Sequence, residues 1–233
     1  MGISDTRMTV LQIVNEVQRR LGLDATAALN TNKLAIQMVD FVNNICNELL
    51  DFGNWQELLV SSNVTAVNGQ RDYSITTSAQ VKNINDIFFS TRTGPLRHVT
   101  VPDMRIMTRV STAGQPSQYT VFGTDTNGNP NIRVRPTPGS NEDGQLFSLT
   151  YYIRTPQYTT GDGATLVPFP GNVVTNGVLA LAILNESGGS PTDHYKSLQE
   201  DYEQSRKEAL NRFNGDSGPN INFVPSLQTR WRR

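Results

Sequence analysis

"DFGNWQELL" (51–59) is where the chain changes rhythm. Upstream, Leu34, Met38, Phe41, Ile45, Leu49 and Phe52 recur at spacings of three and four, the period of one helical face. Gly53 stops that stripe and Trp55 follows it. Downstream, from Gln56 to Arg154, the apolar period shortens to that of strands. "NVTAV" (63–67), "RDYSI" (71–75), "INDIFF" (84–89), "QYTVF" (118–122), "NIRVR" (131–135) and "LFSLTYYI" (146–153) are short runs rich in β-branched and aromatic residues. Turn signals separate them at Asn68-Gly69, Gly94-Pro95, Asn127-Gly128 and Pro138-Gly139. One interruption, "VPDMRIMTRV" (101–110), reads as a short helix. The block as a whole is expected to form an antiparallel β-sandwich or a small barrel.

Helical signals flank this block on both sides. The first helix is expected from about Met8 to Leu21, with Val10, Val14, Val17 and Leu21 on one face. Thr9 followed by Gln12 is a capping-box pattern, and Gly22 is the stop. The second helix starts after Asn30 or Thr31 and runs to Phe52. Beyond the loop "TGDGATLVPFPGN" (160–172), "VVTNGVLALAILNESG" (173–188) is apolar on all sides, which predicts a buried third helix. Gly188-Gly189 ends it. Ser190, with Pro191 in the first helical position, is the expected cap of a fourth helix lined by Tyr195, Leu198, Tyr202, Ala209 and Phe213. The expected architecture is α+β. The N- and C-terminal helix pairs (1–55 and 168–213) join in one four-helix bundle, with residues 56–167 as an inserted β-domain and 214–233 as an extended arm.

Composition narrows the function. Twenty basic residues oppose 21 acidic ones, for a net charge of −1, so the chain lacks the basic surplus that phosphate-binding proteins carry. Cys46 stands alone inside an apolar helical pattern, which excludes a disulfide framework and reads as a small buried side chain. No apolar run reaches membrane-spanning length, and the N-terminus lacks a signal core. These features read as a protein made in a reducing cytoplasm with no membrane partner.

Catalytic and metal signatures are missing. There is no phosphate-binding or dinucleotide-binding glycine motif, and His98 and His194 fall in different elements. "DTNGNPN" (125–131) has its glycine one place early for a calcium loop and no closing glutamate, so a hairpin turn explains it better. "SGGSPTD" (187–193) resembles an anion cradle less than an ordinary helix cap. The carboxylates an enzyme could use, Glu57, Asp72 and Asp86, belong to no motif. No catalytic residue, cofactor or metal is expected.

The order of elements resembles the head-to-tail adaptor (connector) proteins of tailed bacteriophages, the group of tail tubular protein A-like gatekeepers. The residues that carry the likeness are "DFGNWQELL", "NGQRDYSI" (68–75), "QPSQYTVF" (115–122), "IRVRPTP" (132–138), "LTYYIR" (149–154), "VPFP" (167–170), "NES" (185–187) and "DHYKSLQEDYEQSRKEAL" (193–210). The likeness covers 8–213. Thr76 stands where relatives often have proline, and nothing from Asn214 onward matches a family motif. The resemblance implies a structural, non-enzymatic virion protein of the neck, between capsid and tail. It implies a ring, typically dodecameric, below the portal protein and above the tail or nozzle protein. Genomic DNA would pass through its channel without specific binding. The alternative is a receptor- or carbohydrate-binding tail or baseplate component, which needs exposed aromatics such as Tyr119, Phe122, Tyr151 or Tyr152 in the β-block.

The last stretch, "PNINFVPSLQTRWRR" (219–233), has no helical or sustained strand rhythm, yet it is too apolar to stay in water throughout its working life. Ile221 and Phe223 alternate as an added strand requires, and Leu227 and Trp231 could fill pockets. Arg230, Arg232 and Arg233 supply only a weak, salt-sensitive hold on DNA, and no long apolar face exists for a membrane. The arm therefore reads as docking onto the portal or a neighbouring subunit, through Ile221, Phe223, Leu227, Arg230, Trp231, Arg232 and Arg233.

Overall fold

The computed structural model describes residues 7–215, apart from 78, 110–111 and 127–128. In chain order the elements are β1 (Arg7–Thr9), α1 (Val10–Arg20), α2 (Lys33–Phe52), a 3-10 turn (Gln56–Leu58), β2 (Leu59–Thr65), β3 (Asp72–Ser74), β4 (Val81–Phe89) and β5 (Arg97–His98). They continue as α3 (Val101–Met107), β6 (Gln118–Thr124), β7 (Pro130–Arg135), β8 (Leu146–Ile153), β9 (Leu166–Pro170), α4 (Gly171–Glu186) and α5 (Asp193–Gly215). The chain divides into two compact units. One comprises the residues up to Gly53 with those from Tyr158 onward, and the other is Asn54–Gln157.

In the helical unit, local signals set the ends of the elements. Gln12 N–H donates to Thr9 Oγ1 (3.2 Å) and Thr9 N–H donates to Gln12 Oε1 (2.9 Å), the reciprocal capping box. Two further first-turn donors, Val10 and Leu11 N–H, are taken by the carbonyls of Thr165 and Gly163, each at 3.1 Å. The helix starts at Val10 rather than Met8, because Met8 belongs to β1, which pairs antiparallel with β9. Asn32 caps α2 by accepting from Ala35 N–H at 2.7 Å. Its buried face is broader than one stripe: Ala35, Val39, Val42, Cys46 and Leu50 are buried beside Met38, Ile45 and Leu49.

The expected four-helix bundle is not what forms. A bundle helix buries one stripe and wets the opposite face. α4 cannot do that, since from Val173 to Leu184 its only polar residues are Thr175 and Asn176. It takes the centre of the unit, with α1, α2 and α5 packed against it and the β1–β9 ribbon beside them. Gly177 permits the closest approach. A Cβ there would lie 2.7 Å from Ile45 Cδ1 and 3.0 Å from Tyr202 Cε2. α5 buries only Tyr202 and Ala209 among its described side chains. Arg206 fastens it, pairing with the Glu48 carboxylate while its guanidinium lies 4.0 Å from the centre of the Phe52 ring. Its cap is Thr192, whose Oγ1 accepts from Tyr195 N–H at 3.1 Å. Ser190, the expected cap, is instead held in the preceding turn, where its carbonyl accepts from Ser187 Oγ at 2.7 Å.

Two asparagines tie loops to helices in the same way. Asn15 donates to the Thr26 carbonyl (3.1 Å) and accepts from Thr26 N–H (2.8 Å). Asn43 donates to the Tyr158 carbonyl (2.9 Å) and accepts from Tyr158 N–H (2.8 Å). Each carboxamide thus replaces a strand partner for one residue. The second clamp holds the point where the chain re-enters the unit.

The sheet unit holds a three-stranded sheet of order β2-β8-β4 and a four-stranded sheet of order β3-β7-β6-β5. Both contribute to one core, in which the Phe147 ring packs at a tilt against Tyr73 and Phe89 with centroids 5.1 and 4.9 Å away and Ile75, Ile87, Ile132 and Leu149 are fully buried. The expectation of a purely antiparallel block is corrected here too. β5 runs parallel to β6, because the chain between them crosses over through α3 instead of turning in a hairpin.

Candidate functional site

The residues singled out for docking, Ile221, Phe223, Leu227, Arg230, Trp231, Arg232 and Arg233, lie outside the described residues.

Catalytic groups are not brought together. Asp72 sits on β3 and is engaged by Arg133 across the strand pair, with Nε and Nη2 donating to its two oxygens at 2.6 and 2.8 Å. That guanidinium also covers the Phe122 ring at 4.6 Å. Asp86 belongs to the other sheet and Glu57 to the 3-10 turn. His98 is exposed beside the Tyr119 ring, and His194 is exposed in the first turn of α5. Cys46 is buried, and burial pushes its thiol up to about 12, which makes it unreactive. Among the described residues no group of three or more His, Cys, Asp or Glu is placed to hold a metal, and no helix is long and apolar enough to cross a membrane.

A cleft in the helical unit is lined by Arg7, Gln12, Asn15, Glu16, Arg19 and Asp24 among others. Its central charges satisfy one another. Arg19 donates to both Glu16 oxygens (3.0 and 2.7 Å), and Arg20 donates to Glu16 Oε1 at 3.0 Å. The hydrogen bond from Arg19 is the main cause that holds the Glu16 carboxyl below its ordinary value.

The aromatic surface that the receptor- or carbohydrate-binding reading needs is largely consumed by packing. Tyr119 and Tyr151 are buried in the core. Phe122 is half-buried under Arg133, and of these four residues Tyr152, also half-buried, is the one left.

The outer face of the β2-β8-β4 sheet is a different kind of surface. Register places Leu59, Ser61, Asn63 and Thr65 of β2 opposite Tyr152, Thr150, Ser148 and Leu146 of β8. The intervening Val60 and Val64 turn toward the core. On β4 the matching outward residues are Asn83, Asp86 and Phe88. A solvated sheet face normally carries several charges, and among the paired outward residues of this one only Asp86 is charged, with Lys82 in the irregularity before Asn83. Leu59 (37% exposed), Phe88 (41%) and Leu146 (39%) lie on it, three of the eight large apolar side chains that are exposed among the described residues. Loss of charge with retained apolar and aromatic groups is the composition of an interface core. Sequence reasoning missed this face. The signal is the uncharged alternate position, which can be assigned only when register is known.

No curated protein matches the chain. The family model of the SU10 adaptor protein matches residues 8–222. That span agrees with the resemblance to phage head-to-tail adaptors and extends it beyond Asn214, into the first part of the arm. The chain belongs to the SU10 adaptor protein family.

Proposed function

We propose that this protein is a head-to-tail adaptor of a tailed bacteriophage, forming a ring, dodecameric by analogy, below the portal in the neck of the virion. The observation that carries this reading is the family match over 8–222, nearly the whole chain. In this reading residues 1–55 with 168–213 build the ring wall, and 56–167 face outward or toward the tail or nozzle protein. Residues 214–233 are the arm that docks on the portal or a neighbour. The role is structural and needs no cofactor. The charge balance supports a conduit for genomic DNA, since each phosphate gripped would add salt-dependent affinity and hence friction. A polar, Asn- and Thr-rich composition supports a subunit that stays monomeric until the portal templates it.

Electron microscopy of the protein alone and mixed with its portal tests this. The expected result is single subunits alone and a ring with a central channel on the portal. Persistent failure to bind portal at high concentration would overturn it. Deleting 219–233 is expected to leave the helical circular dichroism unchanged and to abolish ring attachment. Normal attachment of the shortened chain would remove the arm from the reading.

A further inference from the structure

Sheet edges are templates for unwanted pairing, and proteins blunt them with charge, proline, bulges or shortness. In this chain the described edges follow that rule with one exception. β3 spans three residues and is flanked by Arg71, and β5 spans two. β9 carries Pro168 and Pro170, which lack an N–H, and its partner β1 spans three residues beginning at Arg7. β4 has two register shifts and includes Lys82 and Asp86, and its free side is partly taken where Leu96 N–H donates to the Ile87 carbonyl at 2.7 Å. β2 has none of these devices. "LVSSNVT" is seven residues long, uncharged and free of proline, and it pairs with β8 in unbroken register. It lies at the end of the order β2-β8-β4, and none of its residues is buried. Such an edge is stable in solution only as long as nothing competes for it, and it is what an added strand requires.

The chain carries a matching strand of its own. Residues 217–229, "SGPNINFVPSLQT", hold no charge, and within them Pro219 and Pro225 bracket "NINFV" (220–224), a five-residue run in which every amide is available. Such a run extends about 17 Å, against about 24 Å for the seven residues of β2. Its alternation also fits. With Ile221 and Phe223 on the side of Val60 and Val64, they extend the apolar layer, and Asn220 and Asn222 join Ser61, Asn63 and Thr65 along the uncharged β2 side of the outer face. The later part, 226–233, ends in three arginines and suits that neutral edge less well.

We propose that Asn220–Val224 of one copy adds as a strand to the free edge of β2 in a second copy. This rests on the docking-arm reading above and names the surface that receives the arm. Four residues, 216–219, separate the end of α5 from Asn220, a reach of about 17 Å when extended, so the receiving edge of the neighbouring copy lies within that distance of Gly215. A contact between arm and edge joins two different patches and is therefore heterologous, the kind that closes a ring. Pairing β2 with β2 would be isologous and would stop at a dimer.

Disulfide trapping in full-length chains assembled on the portal tests this. The single native cysteine, Cys46, is buried and does not interfere. Asn222→Cys in one copy is mixed with Ser61→Cys, Asn63→Cys or Thr65→Cys in another, and in parallel with Val60→Cys, Ser62→Cys or Val64→Cys. The expected result is inter-copy disulfides with the outward set only. Phe223→Pro, which changes the arm and leaves the described fold untouched, is expected to lower their yield by about fivefold or more, the factor for one lost main-chain hydrogen bond. Equal trapping with both sets, or trapping indifferent to Phe223→Pro, would mark random collision and overturn the proposal. In a chain carrying both Asn222→Cys and Asn63→Cys, a disulfide formed only within one copy would also overturn it. If no trapping occurs while deletion of 219–233 still abolishes portal attachment, the arm docks elsewhere: strand addition fails and the docking-arm reading stands.

Discussion

Gly177→Leu is expected to destabilise the helical unit by about 3 kcal/mol or more, at the upper end of what overpacking a well-filled core costs. The reason lies in the crossing of three helices at this residue. Even a single added carbon would sit 2.7 Å from Ile45 Cδ1 and 3.0 Å from both Ile45 Cγ1 and Tyr202 Cε2. Ile45 is 3% exposed and Tyr202 1%, so neither side chain has solvent into which to swing. Gly177→Ala sets two terms of similar size against each other. Alanine gains about 1 kcal/mol of helix propensity, and the contact with Ile45 and Tyr202 costs about 1–3 kcal/mol. The alanine variant should therefore fall within about 1–2 kcal/mol of the parent, with leucine far below both. Denaturant unfolding followed by helical circular dichroism measures the three. A leucine variant as stable as the parent would show that α4 does not pack at this distance.

The second large effect is expected at Asn43. Asn43→Ala removes both hydrogen bonds to the Tyr158 backbone and leaves an N–H and a carbonyl unpaired at a residue only 4% exposed. An unsatisfied buried group costs about 1–3 kcal/mol, so the pair should cost about 3 kcal/mol in total. Asn43→Asp separates the two bonds. Its carboxylate can still accept from Tyr158 N–H, but it has no donor for the carbonyl and sets two oxygens against each other. Partial loss in alanine with full rescue by aspartate would contradict the two-bond account. The same unfolding measurement resolves the comparison, and amide exchange at Tyr158 should accelerate in both variants.

Signals that act over one turn of chain were legible before the structure. The Thr9–Gln12 box, the Gly22 stop and the burial of α4 all depend on neighbours in sequence, and the structure carries each of them. The arrangement of the helices was not legible in that way. Four helical segments suggest a bundle, and only the all-round apolarity of "VVTNGVLALAILN" argues for one central helix. The Asn43 clamp joins residues 115 apart, and asparagine in a helix has no pattern that announces a distant backbone partner. Ser190 and Thr192 are equally good caps on paper. The contact that decides between them is the Ser187 hydroxyl on the Ser190 carbonyl. The candidate face on β2-β8-β4 was hidden for a related reason. Leu59, Phe88 and Leu146 are far apart in sequence, and only strand register sets them on one surface.

The helical unit is assembled from two ends of the chain, and this has a consequence for synthesis on the ribosome. α1 and α2 are made first, but the helix that covers their apolar faces, α4, begins only at Gly171. At about 5–20 residues per second, the stretch between Gly53 and Gly171 takes roughly 6–24 s to emerge. During that interval Val14, Val17, Met38 and Leu49 have no permanent cover, while the sheet unit, continuous in sequence, is completed before α4 is made. The nascent chain should therefore bind a holding chaperone through its first fifty residues and release it once α4 is out. A circular permutant that begins at Tyr158 and joins the old termini would bring the two helical halves together early and shorten that dependence.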